Sequence, residues 1–483
     1  MIVFYALLAL LAVCAALLLV AIVRTLLLTP RTAQYEPVTD PERTRLYSEK
    51  LSRLLRVETV SRRGAPDPEK FRGFHRVLEE QFPRVFTACE KVEIDGNLLL
   101  KWPGRSSADP ILLMSHMDVV PADGEWEHPP FSGDIEDGLI WGRGASDTKC
   151  SLMAFYQAVE ELLEEGYVPA CDVYLASSCT EEIGGDGAPK LANWLKEHGI
   201  HLAMLCDEGG GLIDQPMAGV PGRFAMIGVF EKGYGDVRFI ARGQGGHASA
   251  PAKGTPIPRL AQFVTDVEKK SPFTARFSPE TRALFLRTAP YAEKFWMRCL
   301  FWNLWLFEPL LTRIMPSLSA SAAAMLQTTI AFTMQKGSDG FNVLPQEASV
   351  WANLRFIPHQ STDESLALLD ALAKAHGLEM EVLYKGWPSP SVDIDGAPFR
   401  LVEDVVHKVF PGAGIMPFVV TGGTDARFYK DVCDNCIRFS PMLFGPRQIA
   451  GMHGLNETIS CEALQGGVDY YKAIIRGQEG GLH

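Results

Sequence analysis

At 483 residues, 47 % of them hydrophobic, the chain is long enough for two to four domains around a large core. A formal net charge of −12, with no basic patch, repeat or low-complexity tract, argues against nucleic-acid binding and leaves a globular protein. Taken in chain order, residues 1–23 carry no charge and form an apolar run long enough to cross a bilayer as one helix. A cleaved signal peptide would have a basic leading segment and a small-residue cleavage site, and neither is present, so the run reads as an uncleaved single-pass anchor. Arg24, Arg31, Arg43 and Arg45 follow it, which by the positive-inside rule leaves the rest of the chain on the cytoplasmic face.

Residues 24–40 read as a polar tether with Pro30 and Pro37, and 41–57 as an amphipathic helix opening the soluble part. Strands and helices then alternate to about Phe230, which predicts an α/β domain whose mixed sheet is covered by helices. From Gly233 the texture changes: GDVRFIARG alternates as a half-exposed strand, PIPRLAQFVTDVEKK is helical, TTIAFTMQKG and ASVWANLRFIP are strands, and DESLALLDALAKAHG is a helix before EMEVLYKG. This β-α-β-β-α-β order predicts a ferredoxin-like α+β unit at 232–388, inserted between catalytic segments 41–231 and 389–483. Residues 272–325 add KFWMRCLFWNLWLFEPLLTRIM, too interrupted by Arg298, Glu308 and Pro309 to span a membrane. It reads either as a core or interface helix pair, or as a greasy surface that admits an acyl chain or rests on a bilayer.

The chemistry sits where apolar runs end. ILLMSHMDVVP delivers His116 and Asp118, and alternation places them on one side, a ligand beside a carboxylate able to take its other ring proton. In WGRGASDTK, Gly142 and Gly144 allow a tight turn before Asp147, which precedes an apolar helix. VYLASSCTEEIGGDG delivers Glu181 and Glu182, LAMLCDEGGG ends at Asp207, and the remote GMHGLNE adds His453. Any one of these has a bland reading as a helix cap or a satisfied polar residue. Gathered at the carboxyl ends of strands, the carboxylates would repel one another without a cation, so the cluster argues for metal. The ten cysteines show no disulfide-like pattern, and Cys433-x-x-Cys436 reads as structural.

These motifs, with GGHAS at 245–249, NVLP at 342–345, TGGTDAR at 421–427 and GMHG at 451–454, resemble the co-catalytic di-zinc aminoacylase and carboxypeptidase family. Within it the chain is most similar to the carboxypeptidase S and fatty-acyl-amino-acid hydrolase branch, from about Tyr47 to the C-terminus. The resemblance implies that Asp147 bridges two zinc ions, one also held by His116 and Asp207, the other by Glu182 and His453. Manganese or cobalt suits the same ligands. It further implies Glu181 as general base, Asp118 as the residue orienting His116, and a bridging hydroxide as nucleophile.

By the same resemblance, 232–388 is a lid or dimerisation domain and the protein a homodimer through it. His247 would stabilise the oxyanion, in its own or a partner's site, while Asn342, Arg355 and Thr424 would hold a small peptide or N-acyl amino acid by its carboxylate. The implied activity is cleavage of the amide next to a free carboxylate. A dipeptidase, a biosynthetic deacylase and a catalytically silent metal-binding protein are the alternatives. The family branch is secreted or lumenal, opposite to the side that the arginines indicate.

Overall fold

The computed structural model describes residues 1–65 and 67–482. Its centre is a ten-stranded mixed sheet. Three neighbouring strands, Cys171–Ser177, Ser106–Met114 and Met204–Asp207, run parallel, and Cys436–Arg438 continues parallel beside the last. Cys171–Ser177, Met204–Asp207 and the second half of Ser106–Met114 are almost wholly buried, which explains the unbroken aliphatic runs there, as expected of parallel strands covered on both faces. Helices Lys149–Glu164 and Ala463–Gly477 pack on one another and on this sheet through Phe155, Tyr156, Tyr470 and Tyr471, all buried.

A three-stranded sheet, Ile135–Glu136, Leu139–Trp141 and Thr458–Ser460, lies apart from the main one. It matters because it brings the segment before Asp147 alongside the segment after His453. Gly144 ends this corner with φ +89°, and a Cβ there would lie 2.8 Å from Val119 Cγ1, so both backbone and space require glycine.

A separate four-stranded antiparallel sheet has the order Thr329–Lys336, Glu347–Phe356, Gly233–Arg242, Glu379–Lys385, with helices Pro256–Lys269 and Thr362–Ala375 in the β-α-β-β-α-β connection. Phe239, Phe263, Leu354 and Leu369 form its own core. Gly233–Arg242 alternates buried and half-buried positions along most of its length, the physical origin of the period-two pattern in GDVRFIARG.

Two sequence expectations change. The N-terminal helix runs Ile2–Leu26, past Val23, because Arg24 and Thr25 are compatible with a helix and nothing breaks it before Pro30. The segment at 24–40 is not a free tether. Ala33 accepts from Arg223 N at 3.0 Å, Tyr35 packs edge-on to Phe410, and Asp40 N donates to Gln465 Oε1 at 2.6 Å. Burying Ala33 and Tyr35 outweighs the polar character that suggested a linker. All ten cysteines are free thiols, and Cys433 and Cys436 are both buried.

Candidate metal centre

Each strand end places one polar group. His116 follows Ser106–Met114 and is 2 % exposed. Its Nδ1–H donates to the Asp118 carbonyl at 2.9 Å, leaving Nε2 free to face Asp147 Oδ1 at 3.1 Å and Glu208 Oε1 at 3.3 Å. The Asp118 carboxylate, 3.6 Å from Nδ1, also accepts from Ser61 Oγ at 2.7 Å and from the backbone amides of Glu181 and Glu182, each at 3.1 Å. One buried carboxylate thus pins the His116 strand end to the Glu181–Glu182 turn.

Asp147 faces both ways. Its Oδ1 meets His116 and its Oδ2 lies 3.1 Å from His453 Nε2, which is in turn 3.0 Å from Glu182 Oε2. Two donor groups result, each a histidine and a glutamate sharing one aspartate: His116 with Glu208, and His453 with Glu182. Glu182 Oε1 is buried without a hydrogen-bond partner. An orphaned carboxylate oxygen, two imidazoles with a nitrogen turned toward the acids and a shared aspartate fit a pair of divalent cations.

The structure departs from the sequence reading at Asp207. Its Oδ1 accepts from Glu208 N at 2.8 Å and its Oδ2 from Ala426 N at 2.9 Å, while the neighbouring Glu208 carboxylate faces His116. Thr424 likewise turns away from the cleft. Its N–H and Oγ1 donate to Glu231, whose carboxylate is paired with the fully buried Arg438 at 2.8 Å. His247 and Asn342 are exposed on a two-stranded ribbon, Gly246–His247 with Val343–Leu344, and neither lines the cleft of its own chain. Arg355 does line it.

Electrostatics mark the same place. Burial, aided by Asp425, holds the Glu181 carboxyl well above the usual range. Burial also lifts Glu208 to about 8, Asp425 to about 7 and Asp207 to about 6. Asp147 is the exception: burial is overcome by His116 and His453, which hold it low. The raised carboxyls bind protons more tightly folded than unfolded, so without metal their contribution to stability is present at acid pH and lost as pH rises through these values. A divalent cation bound there would replace the protons. The gain in Tm on adding zinc to chelated protein is therefore expected to widen from pH 5 to pH 7, and a gain that shrinks over this window would contradict the cluster's role.

A residue the sequence reading missed holds the Asp147 turn. Glu457 is fully buried: Oε1 accepts from Ser146 N at 2.8 Å and Asp147 N at 3.0 Å, and Oε2 from Gly144 N at 3.0 Å and Arg143 Nη1 at 2.8 Å. Arg143 also donates to the Gly454 carbonyl at 2.7 Å, beside His453. Its only sequence signal is its place four residues after His453. Glu457→Ala is expected to cost about 3–5 kcal/mol in denaturant unfolding, because Arg143 is left charged, buried and unpaired. A loss under about 1 kcal/mol would show that the staple is dispensable.

The cleft beside these residues has a volume of about 1560 Å³ and contains Glu181, Glu182 and His453 together with Arg63, Arg355, Arg427, Lys385 and Lys430. A match to the model of peptidase family M20/M25/M40 spans residues 112–477. The chain belongs to this family. It is 33 % identical over 430 residues to the probable carboxypeptidase S-like 2 of Dictyostelium discoideum, covering 86 % of this chain and 80 % of that protein. It is 34 % identical over 414 residues to the N-fatty-acyl-amino acid synthase/hydrolase PM20D1 of Homo sapiens, covering 84 % and 82 %. The M20 metallo-carboxypeptidase Sso-CP2 of Sulfolobus solfataricus has the same fold, with TM-score 0.66 and 18 % identity over 91 % of this chain and 99 % of that one. Membership of M20 makes this protein an enzyme of the peptidase and amidohydrolase kind.

Proposed function

We propose that this protein is a membrane-anchored, two-metal amidohydrolase that cleaves the amide bond next to a free carboxylate, in a peptide or an N-acyl amino acid. The observation that carries this reading is that one cleft brings together two groups, Glu181, Glu182 and His453 on one hand and Arg355 and Arg427 on the other. A substrate bearing a carboxylate beside its scissile amide spans the two. Relatives named as a probable carboxypeptidase S-like protein and as an N-fatty-acyl-amino acid synthase/hydrolase support it.

His116, Glu208, Asp147, Glu182 and His453 would hold the metals, and zinc suits a set with two imidazoles. When bound, the ions acidify water and polarise the scissile carbonyl. Glu181 takes the proton of the attacking water and delivers it to the departing amine nitrogen. Arg355 and Arg427, both in the cleft, bind the carboxylate through paired N–H donors. Arg427→Ala is expected to raise KM about 10–100-fold for an N-acyl amino acid with little change in kcat, and to leave the amidated analogue untouched. Equal losses on both would remove Arg427 from recognition. Metal content together with a panel of N-acyl amino acids and dipeptides tests the whole reading, and turnover of neither class by the metal-loaded protein would refute it.

The inserted four-stranded unit would act as lid and dimer contact, with the exposed His247 and Asn342 completing the partner's site. The Ile2–Leu26 helix would be retained as an anchor, since Ala21 and Thr25 are buried in the fold and a cleaved leader would not be built into it.

A further inference from the structure

The N-terminal helix does not leave the body as a free stalk. The fully buried Asn303 donates its amide to the Ala21 carbonyl at 3.1 Å and to Thr25 Oγ1 at 3.0 Å. Arg24 lies over the Trp305 ring, 5.9 Å from its centroid. Asn303 is the joint between two helices of the aromatic insertion, Phe295–Trp302 and Leu304–Leu318.

These contacts fix a height. Residues 2 to 23 are uncharged, and a helix of that length rises about 30 Å, the thickness of a bilayer's hydrocarbon core. The edge of that core therefore falls near Val23 and Arg24, the level at which Asn303 and Trp305 touch the helix.

The insertion has the matching chemistry. Leu304, Leu311 and Met315 bury one side of the second helix against Phe285 and Phe301. Elsewhere along it Trp305 is 49 % exposed, Leu310 52 % and the terminal Leu318 72 %, and Trp296 on the first helix is 57 % exposed. Exposed Lys294 and Arg313 flank these groups in a chain that is acidic as a whole. Tryptophan and apolar residues edged by cations suit the boundary between headgroups and acyl chains. No residue of the insertion lines the cleft.

We propose that Phe295–Leu318 is an in-plane platform that inserts into the headgroup–acyl boundary of a lipid bilayer, so that the enzyme lies clamped on the membrane at two adjoining points. This rests on the anchor reading given above. The anchor contains no tryptophan, so the platform has its own optical signal.

The full-length chain is reconstituted into phosphatidylcholine–phosphatidylglycerol vesicles with plain or brominated acyl chains, and tryptophan emission is compared. Brominated lipid is expected to quench the wild-type protein. Trp296→Phe combined with Trp305→Phe should lose most of that quenching, whereas Trp126→Phe combined with Trp387→Phe should keep it. Both variants should still float with the vesicles and show wild-type circular dichroism. Protein that floats without quenching overturns the platform and leaves the anchor standing, including the case in which a second copy covers the patch. Quenching unchanged in the Trp296/Trp305 variant also overturns it, and failure to float removes the anchor and the platform together.

Discussion

Glu181→Gln is expected to lower kcat by about 10²–10⁴-fold while metal content stays at the wild-type value. The carboxylate lines the cleft, its backbone N–H is held by Asp118, and burial beside Asp425 raises its proton affinity toward the range useful to a base. Glutamine keeps the shape and loses the ability to carry a proton. The metal measurement is what makes the experiment decisive, because Glu181 also lies within 4.8 Å of the donor atoms of His116 and Glu208. Loss of one metal equivalent along with activity would make Glu181 a ligand. Full activity with full metal would remove it from the chemistry altogether.

Much of the site is legible in the sequence because parallel strands, buried on both faces, must be written as aliphatic runs, and the first polar residues after such runs are those at the sheet's carboxyl edge. His116 and Glu182 lie beyond such strands, whereas Asp147 and His453 are carried to them by the separate three-stranded sheet. What escapes the sequence depends on contacts between segments far apart in the chain. Asp207 and Glu208 are adjacent acids, and which one faces His116 is decided by Ala426 N, more than two hundred residues away, which takes an oxygen of Asp207. Glu457 carries no motif of its own, and its role exists only because a three-stranded sheet brings it under the Asp147 turn. The apparent tether fails in the same way: its polar composition is plain, whereas the docking of Tyr35 on Phe410 is a property of the folded body. The inserted sheet is easier to read, since a strand half-buried along its length records its own geometry at period two.

The choice between the two adjacent acids gives a second large effect. Glu208→Gln is expected to remove one metal per chain and to lower kcat/KM by about 10³-fold, the several kcal/mol that a cation contributes to a charged transition state. Asp207→Asn is expected to keep both metals and to cost about 1–3 kcal/mol, since the amide NH2 cannot accept and leaves the N–H of Glu208 or Ala426 unpaired. Elemental analysis after dialysis reads the first property and denaturant unfolding the second. The reverse pattern, metal lost from Asp207→Asn and retained in Glu208→Gln, would show that the turn after Met204–Asp207 rearranges around the ions so that the strand's last residue becomes the ligand. Because Gly210 follows, where a Cβ would lie 2.2 Å from the Met226 carbonyl, such a rearrangement has to be absorbed within Asp207, Glu208 and Gly209 alone. Tight backbone contact on the far side of the turn favours the arrangement in which Glu208, with its longer side chain, reaches the metal.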